Sequence, residues 1–424
     1  MKLLNIFIYI PFLLLFLNYD YFSIFALILV LLIYFDVVEV KLSKYFLKYI
    51  ILFYFFLRFI SAFDSRFNLL WRYMSQKNYS LNGKFIDIQS VFWNLNCNSQ
   101  TTGEFIVFGT EQTLVCPYTA SYGPFFEFVG FKNNPSILSF IFVFFVFVLL
   151  YLYFHHEIKS LDIKNSYIFT LIFLSPPINF LIERMNLDIF IFVVVYFLYS
   201  KVDNVLIRNF FIFLLATMKY YPIFLLIGSI LFKVINRKFN KLKSDLFFFF
   251  SFLIFYLILS QNFQINSPVR PFRPDRTFGI LSESLNFQNS LKFDLLYTYM
   301  FFLIFLIFLI FLFKNQNSLT NLFQIEMVHN LLFLFILLSF FANYDYRLGF
   351  LILVAPYFIK QKNRILFYSF IIFIFSSPGL MHAYGKLFQL VESYSFVYID
   401  IPFYFFLAQL ISEYFQYISK NLKK

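Results

Sequence analysis

Uninterrupted apolar stretches recur along the whole of this chain, and they limit its fold more than any other feature. A helix crossing a bilayer core needs about 20 mainly apolar residues. A soluble domain cannot hide that many such stretches, because much of its surface must face water. Of 424 residues, 61% are hydrophobic and 13% are charged, against roughly 25% charged in soluble domains. Mean hydropathy is +0.75. Disorder, a secreted disulfide scaffold and a soluble enzyme are excluded. So is a β-barrel, which would show short alternating segments. The pattern predicts an all-α, polytopic transmembrane helical bundle of about 12–14 helices.

The runs fall at 4–17, 22–38, 46–63, 136–154, 166–178, 187–200, 205–218, 221–233, 246–260, 292–313, 327–342, 347–359, 365–377 and 398–415. Lys2 precedes the first, but no small-residue cleavage site follows near 15–25, so it is read as a retained helix. The 73 Phe and 31 Tyr occur in every run. They express codon bias better than an aromatic-lined lipid or sugar site.

The net charge of +12 would suggest nucleic acid in a soluble protein. Here the basic residues sit between runs and set a positive-inside topology, with no nucleic-acid partner. Placing both termini in the cytoplasm puts Lys41, Lys44 and Lys48 inside. The same holds for the loop with His155, His156, Lys159 and Lys164, for Lys201 and Arg208, and for KVINRKFNKLKSD (233–245). Lys360, Lys362 and Arg364, and the tail with Lys420, Lys423 and Lys424, complete the inner set. Twenty of the 34 Lys and Arg then lie in inner segments. The chain reads as one membrane domain, 1–424, of a multi-pass protein of bacterial inner-membrane type. It carries a long outer loop after the third helix, 64–134, and a second at 261–291.

Residues 205–233 are read as two short helices meeting at MKYYP on the outer face. One long helix would bury Lys219 at mid-bilayer, at about 2.5–3.5 kcal/mol or more, and would invert the downstream topology. Short helices ending in polar turns imply a water-filled cavity open to the outside.

Four polar groups gather on that outer side: Asp64 with Arg66; Glu183, Arg184, Asn186 and Asp188; Lys219, Tyr220, Tyr221 and Pro222; and Asn343, Asp345 and Arg347. Ionisable residues at membrane depth are functional candidates. Arg184, Lys219 and Arg347 suit a phosphate, and Pro222 opens a helix whose amino terminus also favours an anion. Asp64 suits a general base. The structural alternatives are a snorkelling Lys219 and the ion pairs Asp64–Arg66, Glu183–Arg184 and Asp345–Arg347.

Cys97 and Cys116, with 18 residues between them (116 − 97 − 1), are read as an outer-face disulfide. Two cysteines without nearby His disfavour zinc. His155 and His156 read as part of a solvated inner loop. No Walker A, GxGxxG, HExxH or GxSxG sequence is present.

Three segments, SPPINFLIERMNLDIFIF (175–192), ATMKYYPIFLL (216–226) and ANYDYRLGFLILVAPYF (342–358), resemble in that order the GT-C membrane glycosyltransferases, most closely glycosyltransferase family 87. Met185 stands where the family pattern has Gly. Tyr122, Gly123 and Pro124 are similar to the loop end in relatives. The resemblance implies a hexosyltransferase of EC class 2.4 and an outer-face active site. It also implies inverting transfer of a mannose-type hexose or a pentose from a polyprenyl-monophosphate donor to a glycan or lipid-linked acceptor.

It further implies Asp64 as the base, with Asp87 and Glu104 as competitors in the same loop. Lys219, Arg184, Arg347 and Tyr221 would hold the donor phosphate, supported by Glu183, Asn186, Asp188 and Asp345. No cofactor is expected, and the divalent-metal requirement stays open. Membrane lipids complete the partners. Arg270, Arg273 and Arg276 in SPVRPFRPDR fit either a phosphate contact or a basic loop near head groups. The alternatives are a lipid-linked glycan polymerase or ligase, and a polytopic transporter or flippase. The latter would show matching halves, and none are found.

Overall fold

Most of the apolar runs form helices that stop at a charge or a helix-breaking residue. In chain order these are α1 (Ile10–Leu17), α2 (Tyr19–Tyr34), α3 (Lys44–Phe63), the short α4 (Asn68–Met74), α5 (Pro135–Ser160), α6 (Ile163–Phe173), α7 (Pro176–Arg184) and α8 (Leu187–Lys201). They continue with α9 (Val205–Met218), α10 (Ile223–Ile235), α11 (Leu242–Asn262), α12 (Leu295–Phe313), α13 (Glu326–Ser339), α14 (Ala355–Ile359), α15 (Arg364–Phe375) and α16 (Ser395–Leu422). Two small antiparallel ladders accompany them, Gly103–Val107 with Thr110–Leu114 and Thr277–Phe278 with Asn343–Tyr344. The computed structural model describes residues 7–63, 66, 68–74, 103–107, 110–114, 135–219, 221–262, 277–278, 295–313, 322–340, 343–360, 364–375 and 395–422.

The break at Lys219 is as the sequence predicts. α9 ends at Met218, and α10 begins after Pro222. Three expectations change. The link between the runs 166–178 and 187–200 is helical: Pro176 lacks an N–H that the first helical turn leaves unused, so Ser175 and Pro176 start a helix. That helix, α7, is bent 50° from α6. The run 347–359 is not one helix but a 3-10 helix, Asp345–Leu353, followed by α14. Pro356 cannot donate to a helix continuing through it. His155 and His156 lie in the last turns of α5 instead of in a loop.

Among the described residues, Lys44–Ala62 and Leu138–Ser160 are long and apolar enough to cross a membrane. The bent α6–α7 pair makes a third if taken as one span, and several further apolar helices are shorter. Large apolar side chains cover the outside of the bundle. Phe140, Ile141, Phe144, Phe145, Val148 and Leu152 form an exposed face on α5, and Phe247, Phe250, Ile254 and Ile258 form another on α11. Contiguous apolar faces of this kind mark contact with lipid or protein.

Charge pairs, several of them buried, define two ends of the bundle. At one end, Lys164 at the start of α6 meets Asp36 just past α2 at 2.5 Å. Lys44 donates to the Leu161 carbonyl beyond α5. Arg208 of α9 pairs with Glu326 of α13 at 2.6 Å, and Lys233 of α10 pairs with Asp245 of α11. Asn236 reaches Tyr417 of α16 at 2.6 Å. The loops expected to be basic and inner therefore share one layer. At the other end, Tyr19 donates to the Leu174 carbonyl at 2.6 Å, where α2 begins and α6 stops.

Gly349 sets the approach of the 3-10 helix to α7. A Cβ there would lie 2.6 Å from Leu181 Cδ2 and 3.4 Å from Ile178 Cδ1. Overpacking of this kind costs about 1–3 kcal/mol. Gly349→Ala should therefore lower the thermal midpoint of the detergent-solubilised protein. Against a Leu181→Ala background the same change should cost much less. Equal costs in the two backgrounds would show that the contact does not limit packing.

Candidate functional site

The site is built at the junction of α7 and α8. Met185, between them, has φ 45° and ψ 53°, a left-handed conformation. That backbone costs a non-glycine residue about 1–2 kcal/mol. Its fully buried side chain gives packing in return. The reversal at Met185 sets Glu183 and Arg184 beside Asn186 and Asp188. Asn186 caps α8, its side chain accepting from the Asp188 N–H at 3.1 Å. Asp188 in the first turn suits the positive end of that helix.

The α9–α10 junction delivers Lys219 onto this cap. Lys219 is 6% exposed and Asp188 is 0% exposed. Lys219 Nζ lies 2.6 Å from Asp188 Oδ1 and donates to Asn186 Oδ1 at 2.7 Å. Tyr221 donates to the same Asp188 oxygen at 3.1 Å. Lys219 therefore does not snorkel: it is turned inward, charge-matched and hydrogen-bonded. An anion binding there shares the ammonium with Asp188.

Glu183 pairs with a residue that the sequence reading does not single out. Arg58 of α3 is 0% exposed, and its Nη2 lies 3.2 Å from Glu183 Oε1. The same nitrogen donates to Asn179 Oδ1 at 2.6 Å and to the Met74 carbonyl. Arg58 Nε donates to the Tyr54 hydroxyl at 3.2 Å, and the guanidinium lies over the Trp71 ring at 4.8 Å. Asn179 also donates to Glu183 at 2.6 Å and to the Met74 carbonyl at 3.3 Å. This network ties the end of α4 to α7.

The missed signal was available. Arg58 is the one basic residue between Lys48 and the end of α3, and a charge inside an apolar run calls for a partner. Asn179 lies on the same face of α7, one turn before Glu183.

Formal charges within the site run to three cations, Arg58, Arg184 and Lys219, against two carboxylates, Glu183 and Asp188. Among the described side chains one positive charge is in excess. The segment with Asp345 and Arg347 is the 3-10 helix packed on α7 through Gly349. The side chains of Asp345, Arg347 and Glu104 lie outside the described residues. So do Asp64, Asp87, Cys97, Cys116, Tyr122, Gly123, Pro124, Arg270, Arg273 and Arg276. Among the described residues, no group of three His, Cys, Asp or Glu side chains is arranged to hold a metal. Comparison with family models, curated proteins and solved structures finds no match.

Removing one member of a buried ion pair leaves an uncompensated charge and costs about 3–5 kcal/mol, whereas removing both charges is close to neutral. Lys219→Met and Asp188→Asn should each lower the thermal midpoint sharply. The double variant should recover most of the loss. Additive losses in the double variant would show that the two side chains do not act as a pair.

Proposed function

We propose that this chain is a multi-pass membrane glycosyltransferase of the GT-C type, most like family 87. In this reading it transfers a sugar from a polyprenyl-monophosphate donor to a glycan or lipid acceptor, with inversion, at the outer face of the membrane. The observation that carries the reading is convergence. The three segments on which the resemblance rests are separate in the chain, the third by more than a hundred residues from the second, yet they meet. Lys219 and Tyr221 of the second bond to Asp188 of the first. Gly349 of the third packs on Leu181 and Ile178 of the first. Exposed apolar faces around a charged interior support a membrane setting.

The chemistry asks for few groups. The acceptor hydroxyl attacks the anomeric carbon, and the bond from that carbon to the phosphate oxygen breaks. The electron pair leaves with the polyprenyl phosphate, and the acceptor proton passes to a carboxylate, assigned to Asp64. Charge grows on the departing phosphate, and cations already fixed in place stabilise it without reorganising. Lys219, Arg184 and Arg347 take that role, with Tyr221 beside them. The Lys219–Asp188 pair holds the ammonium in position before donor arrives. Arg58, through Glu183 and Asn179, holds α7 against α4.

The full-length protein, purified into nanodiscs and given a panel of polyprenyl-monophosphate sugars, should release polyprenyl phosphate from one of them. Asp64→Asn should slow that release by about 10²-fold or more, while Asp87→Asn and Glu104→Gln should not. A full rate in Asp64→Asn overturns the base assignment. No release from any donor by well-folded protein overturns the class.

A further inference from the structure

Among the described residues, α3 and α5 are the two helices long and apolar enough to cross a membrane unbroken. They lie side by side and antiparallel. Lys44 at the start of α3 donates to the Leu161 carbonyl just past α5. Phe59 near the end of α3 meets the Phe140 ring near the start of α5, their centroids 4.9 Å apart. The apolar window of each helix is 39% buried, so most of both helices faces outward.

The outward face of α5 is one stripe. Ile141, Phe145, Val148 and Leu152 are exposed and recur at steps of three and four residues. The next two positions at that step are His155 and Lys159, also exposed. On α3, Phe56 and Leu52 are exposed, and one turn nearer the start of the helix stands the half-buried Lys48. Its Nζ lies over the exposed Tyr45 ring, 5.7 Å from the centroid. His155 lies within electrostatic range of Lys48, Lys159 and His156. Two apolar stripes on neighbouring helices therefore end in one basic cluster. From Phe145 to His155 the helix rises about 15 Å, half the thickness of a hydrocarbon core of about 30 Å. The stripe matches the depth of one leaflet, with the cluster at head-group level.

The carboxylates of this end are engaged elsewhere. Glu39 pairs with Lys41 at 3.0 Å, and Asp36 pairs with Lys164. Asp162 accepts from the Asn165 N–H, and Glu157 accepts from the Tyr196 hydroxyl. Among the described residues, no carboxylate forms an ion pair with Lys48 or Lys159. Basic groups at the membrane surface without a counter-charge in the protein attract anionic lipid.

We propose that the adjoining outward faces of α3 and α5 form a docking surface for an anionic phospholipid. Its acyl chains lie along Leu52, Phe56, Val148 and Leu152, and its phosphate sits at Lys48, His155 and Lys159. A zwitterionic head group carries its own ammonium and gains less from the two lysines. The surface lies at the opposite end of the bundle from Lys219 and is independent of the glycosyltransferase assignment.

The full-length protein in detergent is titrated with phosphatidylglycerol and, separately, with phosphatidylcholine of the same acyl chains, and bound lipid is counted by native mass spectrometry. Phosphatidylglycerol should be retained about tenfold more tightly. Lys48→Gln combined with Lys159→Gln should weaken its retention by about fivefold for each lysine, and leave phosphatidylcholine unchanged. Lys241→Gln combined with Lys243→Gln removes the same charge from exposed positions at the start of α11, and should leave the preference intact. Lys159→Gln alone serves if the first double variant does not fold. Equal retention of the two lipids by the unmodified protein, or equal losses in the two double variants, overturns the surface.

Discussion

A charged side chain taken out of water has to find its counter-charge close by, because the cost of leaving it alone is several kcal/mol. In this chain that requirement joins segments far apart in sequence. Arg58 finds Glu183, Lys219 finds Asp188, Lys233 finds Asp245 and Arg208 finds Glu326. Apolar packing alone would let such helices slide and rotate against one another, since one Phe- and Leu-rich face matches another about as well as the next. The ion pairs do not allow that freedom. Each fixes the depth and rotation of two helices, and the Ser229 hydroxyl lies between two of the pairs, within donating distance of Asp245 at 3.3 Å and of Glu326 at 3.0 Å.

The two ends of the bundle use this device differently. At the Arg208 end the pairs run through α9, α10, α11 and α13 and mainly hold helices together, with a cavity beside them. At the Lys219 end the pairs sit where helices stop, at the left-handed Met185 and at the turn before Pro222. Helix ends leave backbone groups unsatisfied, and polar side chains collect there to bond them. The same arrangement places a net positive charge beside helix termini, a setting suited to a phosphate. Asp188 serves twice there, as the neutraliser of Lys219 and the acceptor from Tyr221.

Much of the helix pattern was legible because apolar length and charge position are local signals. The α9–α10 break follows from refusing to bury an unpaired Lys219, and the basic loops do share one layer. Legibility failed where the deciding partner was remote. Arg58 sits inside an apolar run, and Glu183 is 125 residues away, so nothing local announced their pairing. The second half of the 3-10 helix at Asp345–Leu353 looked like part of a span because the residues from Leu348 onward are apolar. It packs on α7 through Gly349 and Leu181, a contact that no local pattern contains. The α7 helix was legible in principle, since paired prolines after a serine favour a helix start, but its second half lies outside the apolar runs.

The charge pairs mark two opposed ends of the molecule, and the proposed topology turns the Lys219 end out of the membrane and the Arg208 end in. Single cysteines at Arg66 and at Lys238, both exposed, report on the two ends in a background with Cys97 and Cys116 replaced by serine. A membrane-impermeant maleimide applied to intact cells should label the Arg66→Cys protein at once. It should label the Lys238→Cys protein only after the membrane is permeabilised. Labelling of both before permeabilisation, or the reverse order, would contradict the account.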